Sequence, residues 1–167
     1  RGRKPVIHAE WARELNHMAE KWVAGQKPLA TPKRLSICIG TTDVHEHGKY
    51  LVEQAFEGLG VDPVDAGVAV DPENLVTCAV YNGADAIAIS TYNGVALSYA
   101  AAVKKELEAR GLSMPVLIGG RLNEIPRDSN SGLPVDVTRE IAGLGCQPCA
   151  SLDDMLAALR KSFPPQQ

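Results

Sequence analysis

The chain has 167 residues, 45% of them hydrophobic, which suffices for one domain of ordinary size with its own core. No apolar run approaches the roughly 20 residues of a membrane span, and no charged, apolar, small-residue series marks a signal peptide, so a soluble, cytoplasmic protein is expected. A formal net charge of -3 and 5% aromatic residues provide neither a basic stripe nor a stacking platform, so no nucleic acid and no membrane is expected as partner.

The first regular piece is HAEWARELNHMAEKWVAG, an amphipathic helix with Trp11, Leu15, Met18 and Trp22 at helical spacing and Gly25 as a stop. His8 and His17, beside or on it, read as ordinary surface residues. The two prolines of QKPLATPKR make a linker, so residues 1–33 form an N-terminal extension and 34–163 the main domain. From Arg34 the pattern alternates: strand RLSICIG, helix KYLVEQAFEGLG, strand VDPVDAGV, helix PENLVTCAVYNG, strand DAIAIS, helix GVALSYAAAVKKELEARG and strand PVLIGG. A looser stretch leads to helix VDVTREIAGLG, a short strand near CQPCAS and a last helix SLDDMLAALRK, where Ser151 and Asp154 have capping-box spacing.

Strands that are nearly all apolar suit a sheet covered on both faces. Five strand and helix alternations imply a Rossmann-like (flavodoxin-like) α/β fold, a doubly wound five-stranded parallel sheet of order 2-1-3-4-5. The four cysteines do not suggest a disulfide framework. Cys38 and Cys78 read as core residues, and the Cys146–Cys149 pair as structural, because no second ligand pair at zinc-finger spacing completes a metal set.

Ligands of such a sheet bind beyond the carboxyl ends of the strands, where strand order reverses. Three loops converge there: GTTDVHEHG after the first strand, STYNG after the third and GGR after the fourth. A dinucleotide would want Gly-x-Gly-x-x-Gly, but the first loop has glycine only at its ends. A response-regulator site would want an aspartate ending the third strand, where Ser90 stands. A flavin mononucleotide loop would be richer in hydroxyls and glycine than Thr41 and Thr42 make it.

Asp43, His45 and Gly48 form D-x-H-x-x-G; 41 residues separate Gly48 from Ser90, and 26 separate Tyr92 from Gly119. In these elements and their separations the chain resembles the cobalamin-binding domains of adenosylcobalamin-dependent mutases, over roughly Leu35 to Leu159. The resemblance implies cobalamin bound with its own base removed from cobalt and His45 as the lower axial metal ligand. Asp43 would orient that imidazole, since a carboxylate on one ring nitrogen makes the other the better donor. Gly48, Ser90, Gly119 and Gly120 would line a slot for the displaced nucleotide tail. Thr42, Val44, Glu46, Thr91, Gly94 and Arg121 are further cofactor contacts by position in the loops. His47 has the wrong spacing for the axial role and reads as a neighbour of the cofactor. Tyr92 departs from the family's S-x-L pattern, in which leucine follows.

The resemblance further implies the small subunit or C-terminal domain of a carbon-skeleton mutase of the glutamate mutase or methylmalonyl-CoA mutase type. Such an isomerase acts as a hetero-oligomer, its substrate held in a TIM barrel of about 250 residues that this chain cannot contain. No catalytic residue is expected in this chain, and the tryptophan-bearing first helix is expected to touch the barrel partner. The alternatives are a corrinoid protein of a methyltransferase system and a cobalamin-dependent regulator.

Overall fold

The computed structural model describes residues 9–128, 130 and 132–165, so His8 lies outside the described residues. A five-stranded parallel sheet of order β2-β1-β3-β4-β7 is built from β1 (Ser36–Thr41), β2 (Asp62–Gly67), β3 (Ala86–Thr91), β4 (Val116–Gly120) and β7 (Gln147–Cys149). This is the expected order, with the reversal between β1 and β3. Helices α2 (His47–Gly58), α3 (Pro72–Tyr81), α4 (Ala96–Ala109), α5 (Thr138–Gly143) and α6 (Leu152–Ser162) cover both faces.

The period-two pleat sorts the strand residues cleanly. Cys38, Ile87, Ile89, Val116 and Ile118 pack on Leu75, Val76, Val103, Leu107 and Ile141 of α3, α4 and α5. Ile37, Ile39, Ala86, Ala88 and Leu117 face the other way, onto Phe56 of α2 and Met155 and Leu159 of α6. Cys146 and Cys149 belong to opposite cores, and all four cysteines are free thiols.

One local feature here differs from the sequence expectation. Residues Val135–Asp136, expected in a helix, form β6 and pair antiparallel with β5 (Asn123–Glu124). The pairing with β5 holds these two residues extended, and Asp136 Oδ1 accepts from the Thr138 amide at 2.9 Å, where the helix starts.

The first helix, α1 (Ala9–Ala24), precedes the first strand, as expected of an N-terminal extension, and packs on α2. Val23 sits so close over Gly58 that a β-carbon there would lie 2.8 Å from its Cγ2. Tyr50 donates to Asn16 (3.0 Å) and Trp22 Nε1 donates to Asp153 of α6 (2.9 Å). Trp22 is thus used within the chain, whereas Trp11 remains 51% exposed. Among the described residues no helix is long and apolar enough to cross a membrane.

Candidate functional site

The pleat that sorts the core also shapes a groove. On the face toward α2 and α6, β3 presents Ala86, Ala88 and then Ser90, while β4 presents Leu117 and then Gly119. Side chains this small cannot fill the space under two helices near the carboxyl ends of the strands. A groove of about 240 Å³ is left, walled by Leu51 and Val52 of α2, by Ser90, Tyr92 and Gly119, and by Leu152 and Met155 of α6.

The β1–α2 loop leads from Ile39 to Gly48, both of which line this groove. Asp43 is buried, and its backbone oxygen accepts from Thr41 Oγ1 and from the Ala69 amide (2.9 Å). Ala69 itself holds a left-handed φ of 46°, a conformation costly for a residue with a β-carbon. Asp43 Oδ1 accepts from the backbone N–H of His45 at 2.9 Å and lies 3.2 Å from its ring Nδ1. Asp43 Oδ2 is buried with no hydrogen-bond partner among the described residues. The His45 side chain is 66% exposed, so the carboxylate faces Nδ1 and the far ring nitrogen, Nε2, is open to a metal.

The other expected residues fall into distinct roles. Thr42 ties the first loop to the second: Oγ1 hydrogen-bonds Asn93 Oδ1 (2.8 Å) and Thr91 Oγ1 (2.9 Å), and its amide donates to Ser90 O (3.0 Å). Gly120 has φ 101°, and a β-carbon there would lie 2.2 Å from Thr91 O; at Gly119 one would lie 3.0 Å from Cys149 O. The double glycine therefore lets β4 end tightly between its two neighbours. Gly94 makes room for Ile125 of the β5–β6 connection, and the Arg121 amide donates to Thr91 O (2.8 Å). Val44 is 72% exposed beside His45, and Glu46 is the N-cap residue of α2.

Helix α2 begins at His47, two residues before the expected start, so His47 and Gly48 form its first turn. The His47 ring packs against Trp11 of α1, centroids 4.3 Å apart. Neither Asn93 nor the α6 wall stands out in the sequence as part of a site. The α6 residues follow a recognisable helix pattern, but their position next to β4 depends on β7 taking the sheet edge. Beneath the site, the Lys49 side chain is buried and reaches Glu53 (2.6 Å) and Asp65 of β2 (2.9 Å). Among the described residues no three His, Cys, Asp or Glu side chains gather to hold a free metal ion.

Comparison with known proteins decides which ligand class this geometry serves. The B12 binding domain family matches residues 38–139, more than half of the chain. The chain belongs to that family. This B12-binding domain is 26% identical over 125 residues to the 2-hydroxyisobutanoyl-CoA mutase small subunit of Aquincola tertiaricarbonis, covering 75% of this chain and 90% of that one. It is also 26% identical over 91 residues to glutamate mutase sigma subunit 1 of Haloarcula marismortui, covering 54% of this chain and spanning 60% of that subunit's length.

Among solved structures, a cobalamin-binding protein from Desulfitobacterium hafniense DCB-2 shares the fold with a TM-score of 0.61 at 19% identity, over 91% of this chain and 67% of that one. The methanol:cobalamin methyltransferase complex of Methanosarcina barkeri shares it with a TM-score of 0.56 at 17% identity, over 87% of this chain and 57% of that one.

The residues present suit a corrinoid. A cobalt already held in a corrin ring would need few donors from the protein, and His45 would offer it one exposed ring nitrogen backed by a buried carboxylate. The apolar groove beside it suits a flat heterocycle.

Proposed function

We propose that this chain is the cobalamin-binding subunit of an adenosylcobalamin-dependent carbon-skeleton mutase. The observation that carries the reading is the Asp43–His45 pair, with the His45 ring 6.2 Å from that of Tyr92, which lines an apolar groove that no core side chain fills. His45 Nε2 would take the lower axial position on cobalt, and the groove would hold the displaced nucleotide tail between β3, β4, α2 and α6. Similarity to two mutase small subunits supports the isomerase reading over a methyl-carrying one.

In this reading the bound cofactor supplies radical chemistry through its cobalt–carbon bond. The residues of this chain bind and orient it. Asp43 holds the imidazole in one orientation, the glycines let the backbone approach the tail, and exposed Trp11 and Val44 rim the loop where a TIM-barrel chain would close over the upper face and exclude water.

Binding and ligation are tested by adding hydroxocobalamin and reducing to cobalt(II). A base-off absorption spectrum with histidine-nitrogen coupling in electron paramagnetic resonance is expected, and an unchanged coupling in His45→Ala would sink the ligand assignment. The partner is tested by purification from the native cell: a co-eluting barrel protein supports the mutase, whereas a methyltransferase or a DNA-binding protein overturns it.

A further inference from the structure

Two hydroxyl groups converge on the first turn of α2. A β-carbon on Gly48 would lie 2.8 Å from Tyr92 Oη and 3.2 Å from both Ser90 Oγ and Tyr92 Cε2. The room left by this glycine is therefore already bordered by the Tyr92 phenol. Along the rest of the groove the side chains Leu51, Val52, Leu117, Leu152 and Met155 are apolar, and the hydroxyl of Ser151 is engaged, accepting from the Asp154 amide at 3.1 Å. Ser90 Oγ and Tyr92 Oη have no hydrogen-bond partner among the described residues. Tyr92 is 38% exposed, lines the groove and has its ring centroid 6.2 Å from that of His45.

A site that offers a hydrogen bond rejects a ligand lacking the partner far more strongly than an apolar pocket rejects a misshapen one. A lower base released from cobalt brings one freed ring nitrogen, which one hydroxyl, that of Ser90, can satisfy. Tyr92 adds a second donor at the same end of an otherwise apolar groove. The remaining edge of dimethylbenzimidazole is carbon and gives that donor nothing, whereas a purine carries further ring nitrogens there. We propose that Tyr92 is a specificity-determining residue for the lower base, and that the groove favours a cobamide whose base is a purine over one carrying dimethylbenzimidazole. This selectivity rests on the base-off reading above.

The test uses the full chain and its Tyr92→Phe and Tyr92→Leu variants, with dissociation constants from absorbance titration. The three probes are cobalamin, adeninyl cobamide and cobinamide, which lacks the nucleotide tail. The wild type is expected to prefer adeninyl cobamide, and both variants to lose about tenfold of that preference, the scale of one hydrogen bond left unmade. Circular dichroism should be unchanged, because the ring is partly exposed. A wild type that prefers cobalamin, or a preference that neither variant moves while both tailed ligands still outbind cobinamide, overturns the proposal alone. Cobinamide binding as tightly as the tailed ligands would show that the groove holds no tail, which overturns the base-off reading and the selectivity with it.

Discussion

Asp43 engages His45 at two points with one oxygen: Oδ1 accepts from the backbone amide at 2.9 Å and stands 3.2 Å from ring Nδ1. The carboxylate thus sets both where the residue sits and which ring nitrogen is left open. Partners of this kind typically contribute about 10–100-fold to metal affinity. Asp43→Ala should weaken cobalamin binding by about that factor in an absorbance titration. Asp43→Asn keeps an oxygen for the backbone amide and should lose less; equal losses would show that the charge facing the ring contributes nothing.

Gly48→Ala is expected to separate fold from cofactor. Alanine's helix preference, at most about 1 kcal/mol and less in a first turn, offsets the cost of moving the Tyr92 hydroxyl, so thermal stability should change little. The added methyl meets Tyr92 Oη and Ser90 Oγ at the head of the groove. Affinity for cobalamin should therefore fall while affinity for tail-free cobinamide stays, and a parallel fall in both would place the clash outside the groove.

Lys49 is the buried link between α2 and the edge strand β2. Burial lowers its pKa, but hydrogen bonds and charge from Glu53 and Asp65 outweigh this and the net shift is upward. A folded pKa raised above the ordinary 10.5 gives stability that is present below that value and lost as pH rises through the shifted one, so the contribution is constant through neutral pH. Lys49→Met leaves Glu53 and Asp65 facing each other and should cost about 3 kcal/mol in urea unfolding at pH 7. A cost under about 1 kcal/mol would mark the cluster as equivalent to a surface pair.

The thiols make alkaline pH destabilising. Burial, helped by the charge of Asp154, pushes Cys149 from 9.0 up to about 12, and burial raises Cys146 as well. Stability from the protonated Cys149 thiol is complete below pH 9 and is lost between pH 9 and about 12, because the unfolded thiol ionises first. Unfolding midpoints should hold steady from pH 7 to 9 and fall above it, with a shallower fall in Cys149→Ala. In the native protein Cys146 and Cys149 should also resist iodoacetamide at pH 8, since both thiols are buried and the thiolate is the reactive form.

Much of the site lies open in the sequence because its elements are local or fixed in spacing. The apolar runs of β1 and β3, the polar loop after β1 and the D-x-H-x-x-G triad each depend on residues close together in the chain, and strand alternation alone brings three loops to one end of the sheet. The separations from Gly48 to Ser90 and from Tyr92 to Gly119 carry the rest, since each crossover must span a set distance.

What the tertiary structure decided depends on which element lies against which. The apolar stripe of α1 suits any apolar surface, and only packing shows that it lies on α2, with Trp22 used inside the chain and Trp11 left outside. Only the folded chain shows Ile125 packed over Gly94, and Asp65 and Glu53 closing around Lys49. Likewise Gly48 and Tyr92 each stand out in sequence, but their contact at the head of the groove exists only because β3 and α2 pack side by side. Periodicity and spacing are properties of one segment at a time, whereas a groove is bounded by segments that meet only after the core has closed.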